Sequence, residues 1–182
     1  KSRAIVENVA AERGVDILPG QQDIEDDLHD QWVSYLHRTE RLRLIHRLLD
    51  FAHAKGTRVT ILSGDVHIGA LGVIESVRRP VRWLHENVIN QLISSAIVHP
   101  PPTRTVRYFL EQMGDEVKEI DRGISGQMLQ FPGTNYRFIG ARNWLAVEFD
   151  ESDRIWVNWH IEDQREVLTK VIHPCGQEGL IS

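Results

Sequence analysis

An aspartate and a histidine stand two positions apart in Ser63-Gly64-Asp65-Val66-His67, directly after the apolar run Val59-Thr60-Ile61-Leu62. A carboxylate suits a hard cation and a neutral imidazole suits iron, zinc or manganese, so Asp65 and His67 can ligate metal if the chain aims both at one point. Gly64 is expected to supply the tight turn that aims them. Alone, a D-x-H triplet is a weak signal, because a histidine at a strand end is more often a hydrogen-bonded structural residue.

The elements around the triplet explain how it is positioned. Val59 to Leu62 is β-branched and apolar, the pattern of a buried strand. Before it, Thr39 is placed to cap a helix whose Leu42, Ile45, Leu49 and Ala52 recur at three- and four-residue spacing, with Arg41, Arg43, Arg47 and Asp50 on the other face. Gly56 ends that helix. The resulting αβ step puts Asp65 and His67 at the strand's C-terminal end, where α/β sheets bind ligands. His46 and His53 on the helix are separated by about 10 Å at a rise of about 1.5 Å per residue, too far to share one ion, and read as surface or boundary residues.

Beyond the triplet, Ala70 to Val77 and Asn87 to Ile97 read as strands, the second ended by Pro100-Pro101-Pro102. Thr103 to Met113 reads as a helix with Val106, Phe109, Leu110 and Met113 as its buried stripe. Residues 123–140 are glycine-rich and aromatic and read as irregular. Trp144 to Phe149 and Ile155 to Ile161, joined through Asp150-Glu151-Ser152-Asp153, read as an antiparallel hairpin in which Trp144 and Trp156 are core or sheet-packing residues, not a ligand platform, and His160 packs structurally. Towards the start of the chain, Arg3 to Arg13 has helical composition with Gly14 as its stop, and Pro19 to Asp30 is an acidic loop. That loop lacks the central glycine and terminal glutamate of a calcium-binding EF-hand, so Asp23 and Glu25 read as solvated charge.

Three segments resemble one family. Asp26-Asp27-Leu28-His29-Asp30-Gln31-Trp32 resembles a D-D-L-x-D-x-W segment, VTILSGDVHIGALG from Val59 to Gly72 resembles a last metal-binding strand and loop, and Asn90 to Ile97 with its proline turn resembles the strand that follows. In that order, across roughly residues 20 to 105, they resemble the C-terminal part of a PhoD-like alkaline phosphatase of the calcineurin-like metallophosphoesterase superfamily, with G-D-x-H in place of the superfamily's G-H-x-H. The resemblance implies an α/β fold, the second half of a four-layer α/β/β/α sandwich: a mixed sheet with flanking helices and a C-terminal antiparallel hairpin. It implies phosphoester hydrolysis at a centre of two divalent or trivalent ions (iron, calcium, manganese or zinc), with Asp65 and His67 each holding one. It also places Asp27, Asp30 and Trp32 at the wall of the active-site region. Arg38, Arg41 and His29 are weighed as phosphate contacts, but arginines at a helix start are more often solvated.

The family's early motifs, an aspartate-ending strand, a G-D-x-x-D and a G-N-H, have no counterpart before residue 63. The chain opens on Lys1-Ser2-Arg3-Ala4 inside a helical pattern. The expectation is therefore a C-terminal portion, residues 1–182, of one metallophosphatase domain, inactive without the other half. Its natural partners are that half and a phosphoester substrate. A sheet face built from Val59, Ile61, Val73, Ile89 and Leu92 is expected to lie uncovered and to favour self-association.

Composition sets outer bounds. At 182 residues, 41% hydrophobic and 26% charged, the chain can bury the core of one ordinary domain. A net charge of −5 and a pI near 6.0, with no basic run beyond Arg78-Arg79 and Arg82, give no nucleic-acid footprint. No apolar stretch reaches the length of a membrane span, and localisation stays open, the cytoplasm ahead of secretion. Cys175, the single cysteine, excludes an internal disulfide and has no local partner pattern for nucleophilic work. Two other classes compete with the hydrolase: a non-catalytic β-rich binding or structural module in which Asp65 and His67 share a structural hydrogen bond, and a degenerate phosphatase paralogue. Metal content separates the first from an enzyme.

Overall fold

The structure, a computed structural model, describes residues 35–80, 85–114 and 116–176. The helix read over Arg3–Arg13, the acidic loop, His29, and the wall residues Asp27, Asp30 and Trp32 lie outside the described residues, as does the side chain of Met113. The chain divides into two compact units, 1–44 and 45–182. Of the first, the described part is a 3-10 turn, Tyr35–His37, that runs directly into helix α1, Arg38–Lys55. The helix thus starts before Thr39, which lies inside it and does not cap it.

The second unit holds the rest of α1 and all of the described strands. Ile45, Leu49 and Ala52 are the buried residues of α1, as their spacing dictates. Gly56 adopts φ +60° and Thr57 N donates to Ala52 O at 3.0 Å, the six-to-one bond that closes a helix on a left-handed residue. The chain then enters β1, Val59–Gly64, and continues through β2, Gly69–Ser76, and β3, Val88–Ser94. β3 inserts between the other two, parallel to β1 and antiparallel to β2. Strands β4, Lys118–Asp121, and β5, Ile124–Met128, form a hairpin on the far side of β2, and the short β6, Phe138–Ile139, pairs with Gly69 and Ala70 of β2. A second sheet is the antiparallel meander β7, Asn143–Phe149, β8, Ile155–Ile161, and β9, Leu168–Ile172.

The first sheet is buried on both faces. Ile45 and Leu49 of α1 pack with Ile89 and Ile124, joined by Val59, Ile61, Ile74 and Ile120. On the opposite face Leu71 and Leu92 pack with Phe131, Ile139, Val157, Trp159, Ile161 and Ile172, so the meander covers what the helix does not. The described part of the unit is mixed α/β, layered helix, sheet, sheet. The five residues expected on one uncovered face are in fact divided. Val59, Ile61 and Ile89 face α1, whereas Leu92, and by strand alternation Val73, face the meander. A period of two cannot put Ile89 and Leu92 on one side.

Residues 123–140 are not irregular throughout, since they contain β5 and β6. Gly126 lies within β5, where a Cβ would sit 2.8 Å from Ile120 Cδ1, so the glycine marks close packing and not a break. The second helix, α2, Arg104–Gly114, does not bury its expected stripe: Val106 is 45% exposed and Phe109 and Leu110 are half-buried. Its inward face is set one position over. Glu111 accepts the backbone N–H groups of Arg137 and Phe138 at 3.0 Å, and a Cβ on Gly114 would sit 2.5 Å from Phe138 Cε2. Among the described residues, no helix is long and apolar enough to cross a membrane.

The β7–β8 hairpin turns on Asp150. Its carboxylate accepts from Ser152 N, Arg154 N, Arg154 Nε and Trp156 Nε1 at 2.7–3.1 Å. The Trp156 indole N–H, followed by the backbone N–H groups of Arg154 and Ser152 and the Arg154 side chain, holds its pKa well below the usual carboxylate range. A depressed folded-state pKa makes a contribution that is present above the unfolded value of about 3.9 and lost as pH falls through the folded value. Thermal melts between about pH 5 and pH 2 are expected to show a steeper acid loss of stability in the unaltered chain than in Asp150→Asn. Equal slopes would mean that the turn does not depend on the ionised carboxylate.

Candidate metal loop

β1 and β3 run parallel with Gly64 opposite Ser94, so their C-terminal ends lie side by side. Residues 65–68 leave β1, pass the end of β3 and enter β2. Asp65 N donates to Ser94 O at 2.9 Å, which ties the loop to the end of the central strand. The turn itself is made by the Asp65 side chain, whose Oδ1 accepts from His67 N at 2.8 Å and Ile68 N at 2.9 Å. Gly64 does not make it: it has no positive φ, and a Cβ there would meet nothing nearer than Ser94 O at 4.0 Å. The required glycine is Gly69, where a Cβ would sit 2.7 Å from Asn143 Oδ1.

Asn143 anchors the loop from behind. It is 2% exposed, its Oδ1 accepts from Ser95 N at 3.1 Å, and its Nδ2 donates to Ser95 Oγ at 3.0 Å and Ala141 O at 2.8 Å. Its own N–H donates to Ser95 Oγ at 2.9 Å. A buried, closed set of polar partners of this kind fixes geometry. The exit of the loop, the end of β3 and the start of β7 therefore share one rigid support.

The two expected ligands come out on the same loop with donor atoms to spare. Asp65 commits Oδ1 to the backbone, and Oδ2 makes no hydrogen bond among the described residues. His67 Nδ1 is buried without a hydrogen-bond partner there, an unusual state for an imidazole nitrogen. The His67 ring meets that of His99 edge-on, centroids 4.7 Å apart at 73°. His99 was not singled out from the sequence, since a histidine among prolines after a strand carries no spacing signal. Its Nδ1 lies 3.1 Å from Pro100 O; a carbonyl only accepts, so the proton sits on Nδ1 and the lone pair on Nε2. One carboxylate oxygen and two imidazoles suit a transition-metal cation in chemistry. Among the described residues, however, no group of three or more Asp, Glu, His or Cys converges in metal-binding geometry.

The remaining candidates fall elsewhere. His46 and His53 take separate carboxylates, Asp121 at 2.9 Å and Glu86 at 3.3 Å, in keeping with their separation along α1. Trp144 packs on the sheet and not in the core: it is 49% exposed and stacks on its cross-strand partner His160 at 4.0 Å, and Trp156 is half-buried with its indole on Asp150. Among the described tryptophans the core residue is Trp159, fully buried, with Nε1 donating to Ile93 O at 2.9 Å. Cys175 is half-buried near the end of the described chain.

A mixed sheet whose parallel strand ends carry an Asp-x-His loop defines an α/β protein with a candidate ligand-binding loop at those ends. The family model for PhoD related phosphatase matches residues 11–120, which cover α1, the loop and β3, and the chain belongs to that family. It is 32% identical over 111 residues to the uncharacterized protein YGR266W of Saccharomyces cerevisiae, a match that covers 51% of this chain. The match spans only 16% of that relative's length. No solved structure matches the chain.

Proposed function

We propose that this chain is part of a metal-dependent phosphoester hydrolase and contributes the Asp65–His67 loop to its metal centre. Membership of a phosphatase family supports a phosphatase-like function. The observation that carries the finer reading is the state of the loop: one Asp65 oxygen is held by two backbone N–H groups, while among the described residues the other oxygen has no hydrogen bond and the buried His67 Nδ1 has no partner. Asp65 and His67 do share a structural hydrogen bond, from His67 N to Asp65 Oδ1, as the competing binding-module reading expects, but it leaves the His67 ring out, and metal content separates the two readings.

In this reading Asp65 Oδ2 and His67 Nδ1 face metal, and a pair of cations of iron, calcium, manganese or zinc, when bound, supplies Lewis-acid polarisation of the phosphoryl oxygens and an activated water. The chain's own part is to position. The Asp65 Oδ1 bonds fix the carboxylate's orientation, the Asn143–Ser95 cluster holds the strand ends, and the His99 ring limits how His67 can rotate. Among the described residues no third ligand converges on the loop.

The test is hydrolysis of p-nitrophenyl phosphate and its bis-ester by the full-length protein. Activity is expected to disappear after chelation and to return with one of the four metals. Turnover that survives exhaustive chelation, or a metal-replete protein inert towards both esters, would remove this reading.

A further inference from the structure

Between α2 and β6 lies a cleft of about 480 Å³, a volume in the range of small-molecule sites. Arg104, Arg107, Tyr108 and Glu111 line it from one face of α2, opposite Tyr136 and Gly140. Its charge is unbalanced. Glu111, the acid among these residues, has both oxygens on the backbone N–H groups of Arg137 and Phe138. Neither Arg104 nor Arg107 forms an ion pair among the described residues.

The arginines are also placed, not merely present. The stem of Arg107 lies on Gly140, where a Cβ would come 2.6 Å from Arg107 Cδ, so the absent side chain makes room for it. Arg104 stands one turn before it on the same face. Tyr108 and Tyr136 add aromatic surface, and burial, ahead of the opposing effects of Arg107 and Glu111, pushes the Tyr136 hydroxyl pKa up and keeps it a neutral donor. The cleft floor is β6, paired with Gly69 and Ala70 at the exit of the Asp65–His67 loop.

We infer that this cleft binds a small organic anion with a flat apolar body, its phosphate or carboxylate held by the guanidinium forks of Arg104 and Arg107 and its body against Tyr108 and Tyr136. Arginine pairs oxyanions in a bidentate fashion, and the aromatic walls suit a ring. The inference stands apart from the metal loop.

Calorimetric titration of the chain in EDTA with phenyl phosphate, benzoate and phenol tests it, because chelation removes any metal-borne phosphate site. At least one anion is expected to bind at a single site, and phenol about tenfold or more weaker. Tighter binding of phenyl phosphate identifies a phosphate ligand, and tighter binding of benzoate a carboxylate. Arg104→Gln with Arg107→Gln, both at exposed positions, is expected to lose about tenfold or more in affinity without a change in melting temperature. Gly140→Ala keeps both charges but displaces Arg107, and is expected to weaken binding in the same direction. Failure of both anions to bind at about 10 mM, or binding undiminished in the double variant, would overturn the inference.

Discussion

Replacing His67 by alanine in the full-length protein is expected to lower phosphoester turnover by about 100-fold or more, because a lost ligand both weakens metal affinity and removes charge stabilisation of the transition state. Asp65 calls for two variants. Asp65→Ala removes the charge and also the acceptor for His67 N and Ile68 N, so it costs about 1 kcal/mol or more of loop stability in addition to activity. Asp65→Asn retains an Oδ1 that can serve those two N–H groups but loses the anionic oxygen. It is expected to keep the melting temperature and still lose turnover. His67→Ala removes no side-chain acceptor from the turn, so its stability is expected to change little. Normal turnover in both Asp65→Asn and His67→Ala would remove the loop from the chemistry.

The largest stability effect belongs to Trp159. It is fully buried between the sheets, packs edge-on against Phe131 at 5.0 Å and donates its indole N–H to Ile93 O. Trp159→Ala is expected to cost about 3–5 kcal/mol, combining lost transfer free energy with an unfilled cavity and an unpaired carbonyl. Trp144→Ala, at a half-exposed position stacked on His160, is expected to cost under about 1 kcal/mol. Urea denaturation of the two variants measures the difference directly. Equal losses would contradict the assignment of the core face.

That pair also shows what the sequence made legible. The β7–β8 hairpin could be read from its alternation, but the choice of inward face needed the whole strand: Ile155, Val157, Trp159 and Ile161 share one parity, while Trp156, Asn158 and His160 share the other. Residue type alone leaves a tryptophan open to either core or sheet packing, and the period decides between them. The α1–β1 step and the position of the loop were readable because helix spacing, Gly56 and the β-branched run all agree. Strand β5 was not, since Gly126 looks like a breaker until Ile120 is seen packed over it. Neither was the inward face of α2, where Arg107 and Glu111 meet backbone and glycine instead of a hydrophobic core. His99 and Asn143 were invisible for a related reason: each acts through a contact with residues far along the chain, His67 and Ser95, that no local spacing encodes.

Metal content tests the central claim most directly. After dialysis against excess manganese, zinc, iron or calcium and removal of the free ion, elemental analysis of the full-length protein is expected to find about two ions per chain, in keeping with a two-metal site, and fewer in His67→Ala and Asp65→Asn. The same stoichiometry in the wild-type protein and in both variants would contradict the assignment of the Asp65–His67 loop to the metal centre.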